Sequence, residues 1–124
     1  MEFIKLIISS YDSYNYNGAS NIEMNILGNF LSSDVRCQIT PYRQWALNDR
    51  DIGIGGNLTD LYKEDGNVFL ADILSEEEVP TELKMTIQQF VQLLDDWETK
   101  VCKKKPEEVL IKHQDGEFII EIKD

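Results

Sequence analysis

The chain has 124 residues, 42% of them hydrophobic and 28% charged, a composition typical of one globular domain rather than a disordered chain. Its 12 lysines and arginines stand against 23 aspartates and glutamates, giving a formal net charge of -11. This charge disfavours sequence-independent binding to nucleic acid or to an anionic membrane. We therefore predict a single domain over residues 1–124, with basic partners favoured.

The N-terminal part is predicted to contain two strands separated by a loop. The run from Phe3 to Ile8 is typical of a strand that is buried on both faces or nearly so. Residues 9–21 are rich in serine, asparagine, aspartate and glycine, which predicts a loop. Ile22, Met24 and Ile26 alternate with polar residues, so a half-buried strand is expected there.

The middle of the chain gives weak signals and then a clear hairpin. Pro41 is incompatible with a regular ladder, and residues 42–47 fit either a helical turn or an edge strand. Residues 58–62 and 68–73 flank Asp65-Gly66, a pair that favours a tight turn. These two segments are therefore predicted to form a hairpin.

An amphipathic helix from Thr86 to about Lys104 is better defined. Thr86 and Gln89 have the spacing of a capping box, in which each side chain satisfies a backbone donor at the helix start. Pro106 prevents the helix from continuing. Apolar residues recur at three- and four-residue steps and so share one face. They are Ile87, Phe90, Val91, Leu94, Trp97 and Val101.

The last residues are predicted to form a hairpin around Asp115-Gly116, a pair that suits a type I′ turn. The cross-strand pairs on one face are then His113 with Phe118, Ile111 with Ile120, and Val109 with Ile122. Together the elements predict the α+β class. The expected architecture is an antiparallel sheet of about five or six strands with one principal helix, in the C-terminal half, packed on one face.

The cysteines and the N-terminal residues predict a cytoplasmic protein. Cys37 and Cys102 lie in no CxxC motif and next to no histidine, so we expect two small core residues rather than a disulfide bond. The first residues lack the pattern of a signal peptide, and no apolar run approaches the length of a membrane span.

The sequence contains no convincing catalytic constellation. The single histidine, His113, is expected to pack against the inner face of the terminal hairpin rather than act as a base or metal ligand. Gly53, Gly55 and Gly56 are followed by no lysine and no helix start, so they do not form a phosphate-binding motif. We predict no enzymatic activity, no cofactor and no metal.

Acidic residues and a tyrosine-rich loop are the candidate partner-binding features. Seven acidic residues and no lysine or arginine lie from Glu64 to Glu82. This charge suits either a basic partner or solubility alone. The tyrosine-rich loop has a composition used by recognition surfaces, although its tyrosines could equally cover the sheet edge. The candidate residues are Tyr11, Tyr14, Tyr16, Asp72, Glu76, Glu77, Glu78, Asp95 and Asp96.

Three segments of the second half carry a family resemblance: DGNVFLADIL, MTIQQFVQLLDDWE and KKPEEVLI. With the acidic linker and the final hairpin, residues 64–124 resemble small bacterial immunity proteins of polymorphic toxin and contact-dependent growth inhibition systems. The resemblance implies an inhibitor that binds one cognate toxin domain and blocks its active site. Many such toxin domains are nucleases with basic clefts. The resemblance assigns no individual binding residue.

Two other functions are compatible with the residues. A small ligand-binding or enzymatic domain would use a cavity between the helix and the sheet, with His113 and a nearby carboxylate as functional groups. A structural or adaptor subunit would associate through exposed sheet edges. The residues do not predict an oligomeric state.

Overall fold

The computed structural model describes residues 2–8, 14–49, 53–56, 58–78 and 81–123. Within these ranges the chain forms eight strands: β1 Glu2–Ile8, β2 Tyr14–Ala19, β3 Ile54–Gly55, β4 Thr59–Glu64, β5 Asn67–Asp72, β6 Glu82–Thr86, β7 Glu108–Gln114 and β8 Glu117–Lys123. The same ranges contain three α-helices: α1 Ile22–Asn29, α2 Ile39–Leu47 and α3 Ile87–Trp97. Helices α1 and α3 each continue into a π-helical segment, Phe30–Val35 and Glu98–Cys102 respectively.

The strands form two antiparallel sheets of four strands each. The first sheet has the order β2-β1-β7-β8, and the second has the order β3-β4-β5-β6. Helix α1 contacts β1 and β2 of the first sheet and β5 and β6 of the second, and α3 contacts β8, β5 and β6. Helices α1 and α3 therefore pack against the inner faces of both sheets. Burial alternates along β4, β6 and β7, so each sheet also has an outward face.

One apolar core joins the helices to both sheets. Ile4 and Ile111 of the first sheet, Leu70 of the second and Trp97 of α3 are all at most 1% exposed. Lys63 is a charged exception at 6% exposed. Its ammonium donates to the Trp45 carbonyl oxygen at 2.8 Å, close to the C-terminus of α2, where the helix dipole favours positive charge.

The two predicted hairpins are confirmed. All the predicted cross-strand pairs of the terminal hairpin, from Glu108/Lys123 to Gln114/Glu117, are present. Its two turn residues have φ angles of 53° and 78°, as a type I′ turn requires. The Asp65-Gly66 turn has the same geometry, with φ angles of 52° and 78°.

The predicted capped helix is confirmed as well. The Thr86 hydroxyl accepts from the Gln89 backbone N–H at 3.0 Å, and the Gln89 side chain accepts from the Thr86 backbone N–H at 2.8 Å. The Gln89 side-chain amide also donates to the Gly116 carbonyl oxygen, which ties the terminal turn to the start of α3. The helical backbone continues through Cys102 and ends before Pro106.

The α+β class with antiparallel pairing is confirmed, but the predicted architecture is wrong. A single sheet of five or six strands with one principal helix is replaced, in the described ranges, by two four-stranded sheets and three α-helices. The prediction also placed a helix on only one sheet, whereas α3 contacts strands of both.

The largest error concerns residues 22–26, which form α1 rather than a strand. The Asn21 side chain accepts from the Met24 backbone N–H at 3.0 Å and so caps the helix. Gly28 lies inside α1 and allows close packing on β1, because a Cβ there would lie 3.0 Å from Ile4 Cγ1 and closer to its Cδ1.

Two further predictions about the first sheet need correction. Residues 14–19 form β2, which pairs with β1, whereas the sequence predicted a loop there. Residues 9–13 of that loop lie outside the described residues. Strand β1 is not buried on both faces, because Ile7 on its outward side is 39% exposed. Residues 42–47, for which two alternatives were open, belong to helix α2.

The expectation of two unbridged cysteines is wrong. Cys37 and Cys102 form a disulfide bond, with their Cα atoms 5.8 Å apart. The bond joins the turn after the first π-helical segment to the end of the second. Trp97 Nε1 reinforces this junction by donating to the Arg36 carbonyl oxygen at 2.6 Å. The predicted cytoplasmic location rested partly on free thiols. The disulfide bond removes that support, so the location stays a prediction.

None of the helices in the described part of the chain has the length and apolar character needed to cross a bilayer.

Candidate interaction surface

The predicted acidic residues after β5 lie together at one end of the second sheet. Asp72 ends β5, and its carboxylate accepts from the Leu74 backbone N–H at 2.9 Å. Glu76–Glu78 follow as exposed side chains. Leu74 is 69% exposed, so an apolar side chain lies within this acidic segment. We refer to Asp72–Glu78 as the acidic connection.

The two predicted aspartates of α3 form a separate group. Asp95 is paired with Arg43 of α2, with 3.2 Å between its Oδ1 and the arginine Nε. Asp96 accepts from Gln92 Nε2 at 3.0 Å, one turn earlier on the same helix. No hydrogen bond or ion pair among the described residues links either aspartate to the acidic connection.

The predicted tyrosine anchors are only partly located. Tyr14 and Tyr16 lie on β2, where their backbones pair with Ile8 and Leu6 at the edge of the first sheet. Tyr11 and the side chains of the other two tyrosines lie outside the described structure.

The outward face of the second sheet carries an aromatic pair. Tyr62 of β4 and Phe69 of β5 are direct cross-strand partners. Their rings stack with centroids 4.8 Å apart and an interplanar angle of 5°. Both side chains are half-buried, so the pair covers itself but remains accessible.

Three carboxylates surround this pair. Asp60 and Glu64 flank Tyr62 along β4, because residues two apart on a strand share a face. Glu82 of β6 lies in the same cross-strand row as Asp60, with Ala71 between them. In the described ranges, none of these three carboxylates takes part in an ion pair. We call the group the acidic face: Asp60, Tyr62, Glu64, Phe69 and Glu82.

Tyr62 is tied to one of these carboxylates. Its hydroxyl donates a hydrogen bond to Glu82, and this bond, with a smaller contribution from burial, raises the pKa of Tyr62 to about 12. The negative charges of Glu82 and Glu64 act in the same direction, because they disfavour a phenolate. The tyrosine therefore remains a neutral hydrogen-bond donor well above neutral pH.

Strand β3 leaves the sheet surface beside Tyr62 without side chains. Gly55 pairs with Asp60, and a Cβ on Gly55 would lie 3.1 Å from Asp60 Oδ1. Gly53, just before β3, lies next to Tyr62, where a Cβ would be 3.7 Å from the Tyr62 Cβ. Among the described residues, the backbone of these two glycines lines one side of the acidic face, and we call it the ledge.

The acidic face was missed by the sequence analysis, although a signal for it was present. The predicted Asp65-Gly66 turn fixes the register of β4 and β5, and counting back from it places Tyr62 opposite Phe69.

The outward face of the first sheet has a different character. Its lysines and glutamates form diagonal ion pairs, Lys5 with Glu108 and Lys112 with Glu121, each with 2.7 Å between nitrogen and oxygen. The ammonium of Lys5 lowers the pKa of Glu108. We call this the paired face.

His113 lies where the hairpin register predicted. Its ring stacks on Phe118 with centroids 4.3 Å apart, and its Nδ1 lies 3.0 Å from Glu2 Oε2. A groove between α3 and β8 runs past Phe118 but not past His113. The groove is lined by Gln88, Gln89, Gln92, Leu93, Asp96, Glu117 and Phe118. No cluster of three potential metal ligands exists among the described residues.

Comparisons with protein-family models, with curated proteins and with solved structures found no match to this chain.

Proposed function

We propose that this protein is an immunity protein that binds a cognate bacterial toxin domain and neutralises it by covering its active site. The proposal treats the protein as a stoichiometric inhibitor with no chemistry of its own. It is supported by the resemblance of residues 64–124 to such proteins and by the distribution of charge over the second sheet.

The unbalanced charge around the second sheet carries the proposal. The acidic face and the acidic connection occupy the same sheet, and Asp72 of the connection follows Ala71 of the Asp60–Glu82 row. The chain has no lysine or arginine from Glu64 to Glu82. Such a surface attracts a basic protein and repels both nucleic acid and further copies of itself.

The same region offers apolar groups that can maintain a contact once charge has guided it. Leu74 is 69% exposed and Ile73 is 40% exposed, both within the acidic connection. Tyr62 and Phe69 lie on the adjoining sheet face. Long-lived interfaces depend on a few desolvated apolar and aromatic anchors, while charges mainly set the association rate and the orientation. Toxin domains with a basic cleft, such as nucleases, fit this combination best.

Co-expression tests the proposal directly. We predict that a neighbouring gene encodes a protein with a toxic C-terminal domain, and this domain is expressed from an inducible promoter, with and without this chain. We expect growth arrest to be relieved only when the chain is present. The purified proteins should form a stable 1:1 complex, and the association rate should fall steeply as salt rises from low to physiological concentration.

Two results would count against the proposal. Growth arrest that persists despite equal expression of both proteins would reject the immunity function. Rescue of growth together with an association rate that does not depend on salt concentration would retain the immunity function but remove the electrostatic part of the mechanism.

A further inference from the structure

We propose that the acidic face is the docking surface for an arginine side chain of the basic partner, whose guanidinium stacks against the Tyr62–Phe69 pair while the flanking carboxylates bind its N–H groups. This inference rests on the proposed function and deepens it, because it names the part of the molecule that docks and the chemistry of the group that it receives.

The arrangement of rings and carboxylates favours arginine over lysine. Tyr62 and Phe69 present a planar stack, with an angle of 5° between the rings. A guanidinium is planar, stacks on aromatic faces and is more weakly hydrated than an ammonium. Asp60 and Glu64, on either side of Tyr62, can each accept from a guanidinium fork. Lysine, a compact and strongly hydrated charge, gains less from the rings.

The ledge beside Tyr62 provides room for the arginine. Gly53 and Gly55 contribute no side chains there, but the Asp60 carboxylate lies over Gly55, 3.1 Å from where a Cβ would be. An arginine stem can therefore approach Tyr62 past Gly53, with its head between the Tyr62 ring and the Asp60 carboxylate. The opposite side of the face is less suitable, because Lys84 pairs with Phe69 across the strands and repels a second cation.

Other occupants fit the face less well. A second copy of this chain would bring Asp60, Glu64 and Glu82 against the same three carboxylates, and this contact between like charges is repulsive at low dielectric. The stacking of Tyr62 on Phe69, with ring centroids 4.8 Å apart, also keeps the Tyr62 ring in place before binding. A preorganised aromatic surface loses little side-chain freedom when a ligand binds.

Binding of two short peptides tests the inference without the toxin. The ¹⁵N-labelled chain is titrated at low salt with acetyl-Arg-Ala-Arg-amide and with its lysine counterpart, and amide shifts are followed by NMR. We expect saturable shifts centred on Asp60, Tyr62 and Phe69, with the arginine peptide binding about threefold more tightly. Tyr62→Ala should abolish the preference for arginine, because it removes the ring against which the guanidinium stacks. Asp60→Asn with Glu64→Gln should weaken both peptides.

The matched control is Glu108→Gln with Glu121→Gln on the paired face, which removes the same charge and should leave the arginine preference unchanged. Equal affinities for the two peptides, shifts confined to the acidic connection, or no saturation would each overturn the inference. A concentration-dependent mass that Phe69→Ala abolishes would assign the face to a second copy and also overturn it. Because the peptides replace the toxin, failure here is distinct from failure of growth rescue.

Discussion

The paired face of the first sheet and the acidic face of the second differ in how their charged residues are partnered. On the first sheet, Lys5 contacts Glu108 and Lys112 contacts Glu121, each at 2.7 Å. On the second sheet, the carboxylates of the acidic face make no ion pair within the described ranges. Both faces lie on antiparallel sheets and turn away from the same core, so the contrast comes from their side chains alone.

This contrast separates charge that serves the fold from charge that is directed outward. Paired charges cancel at a distance, so the paired face has little long-range field and gains only small local stabilisation. On the acidic face, three negative charges outweigh the one positive charge of Lys84, so the face projects a net negative potential that a partner meets before contact. The acid excess of the chain therefore matters most where it is unpaired, beside the Tyr62–Phe69 pair.

The largest expected effect concerns the disulfide bond that links the helical segments packed between the two sheets. The Cys37–Cys102 bond links the segment after α1 to the segment after α3, and it closes a loop with a sequence separation of 65 residues. Replacing both cysteines with serine should lower the free energy of unfolding by about 4 kcal/mol, chiefly because the unfolded chain gains freedom. Urea denaturation measures this loss.

Addition of a reductant to the unaltered protein is the control for that experiment and should reproduce the double substitution. A loss of unfolding free energy below about 1 kcal/mol would show that the shared core alone holds the segments after α1 and α3 together. Both faces should keep their NMR shifts in the oxidised protein, whichever result is obtained.

Next in size is the effect of charge on association with the toxin domain. Asp60→Asn, Glu64→Gln and Glu82→Gln together remove three negative charges from the acidic face. We expect the association rate at low salt to fall at least tenfold, because the removed charges all face the partner. Stopped-flow mixing measures this rate.

Three substitutions on the first sheet supply the matched control. Glu108→Gln, Glu117→Gln and Glu121→Gln change the net charge equally, yet should alter the rate by less than about twofold. If both triple variants slow association to the same extent, total charge rather than its placement determines the encounter, and the contrast between the faces has no functional meaning.

A smaller effect is expected within the paired face. A double-mutant cycle with Lys112→Met and Glu121→Gln should give a coupling free energy of about 0.2–0.5 kcal/mol, because Glu121 is half exposed and solvent screens the pair. The coupling should vanish in 1 M salt. Urea denaturation of the four proteins measures it, and a coupling above about 1.5 kcal/mol would show that this pair is a major support of the sheet.

The two hairpins could be predicted because the turn residues and the alternation of apolar residues fix the same strand register. An Asp-Gly pair permits positive φ at both turn positions, and a shift by one residue would expose Ile111 and Ile120. No such constraint acts on Ile22, Met24 and Ile26. Their spacing includes positions four apart, which also share a helix face, and the Asn21 cap decides in favour of α1.

The candidate site could be predicted only in part for a related reason. Exposure of Glu76–Glu78 follows from local composition, and the structure agrees. The acidic face depends instead on three strands coming together, with Asp60, Ala71 and Glu82 in one row. The position of β6 beside β5 is a long-range pairing across the acidic connection, which no turn motif indicates.

The finest test of the contrast is the titration of Tyr62, whose hydroxyl lies against the Glu82 carboxylate on the acidic face. The pKa of Tyr62 is raised to about 12 by its bond to Glu82, so the folded protein retains this proton more strongly than the unfolded chain. The resulting stabilisation is complete below pH 10 and is lost as pH rises toward 12. Phenolate absorbance of the unaltered protein minus that of Tyr62→Phe isolates this group, and Glu82→Gln should move its ionisation toward the ordinary tyrosine pKa. An ordinary pKa in the unaltered protein would mean that the Tyr62 hydroxyl is free, and the ring would then be held in place by its stacking on Phe69 alone.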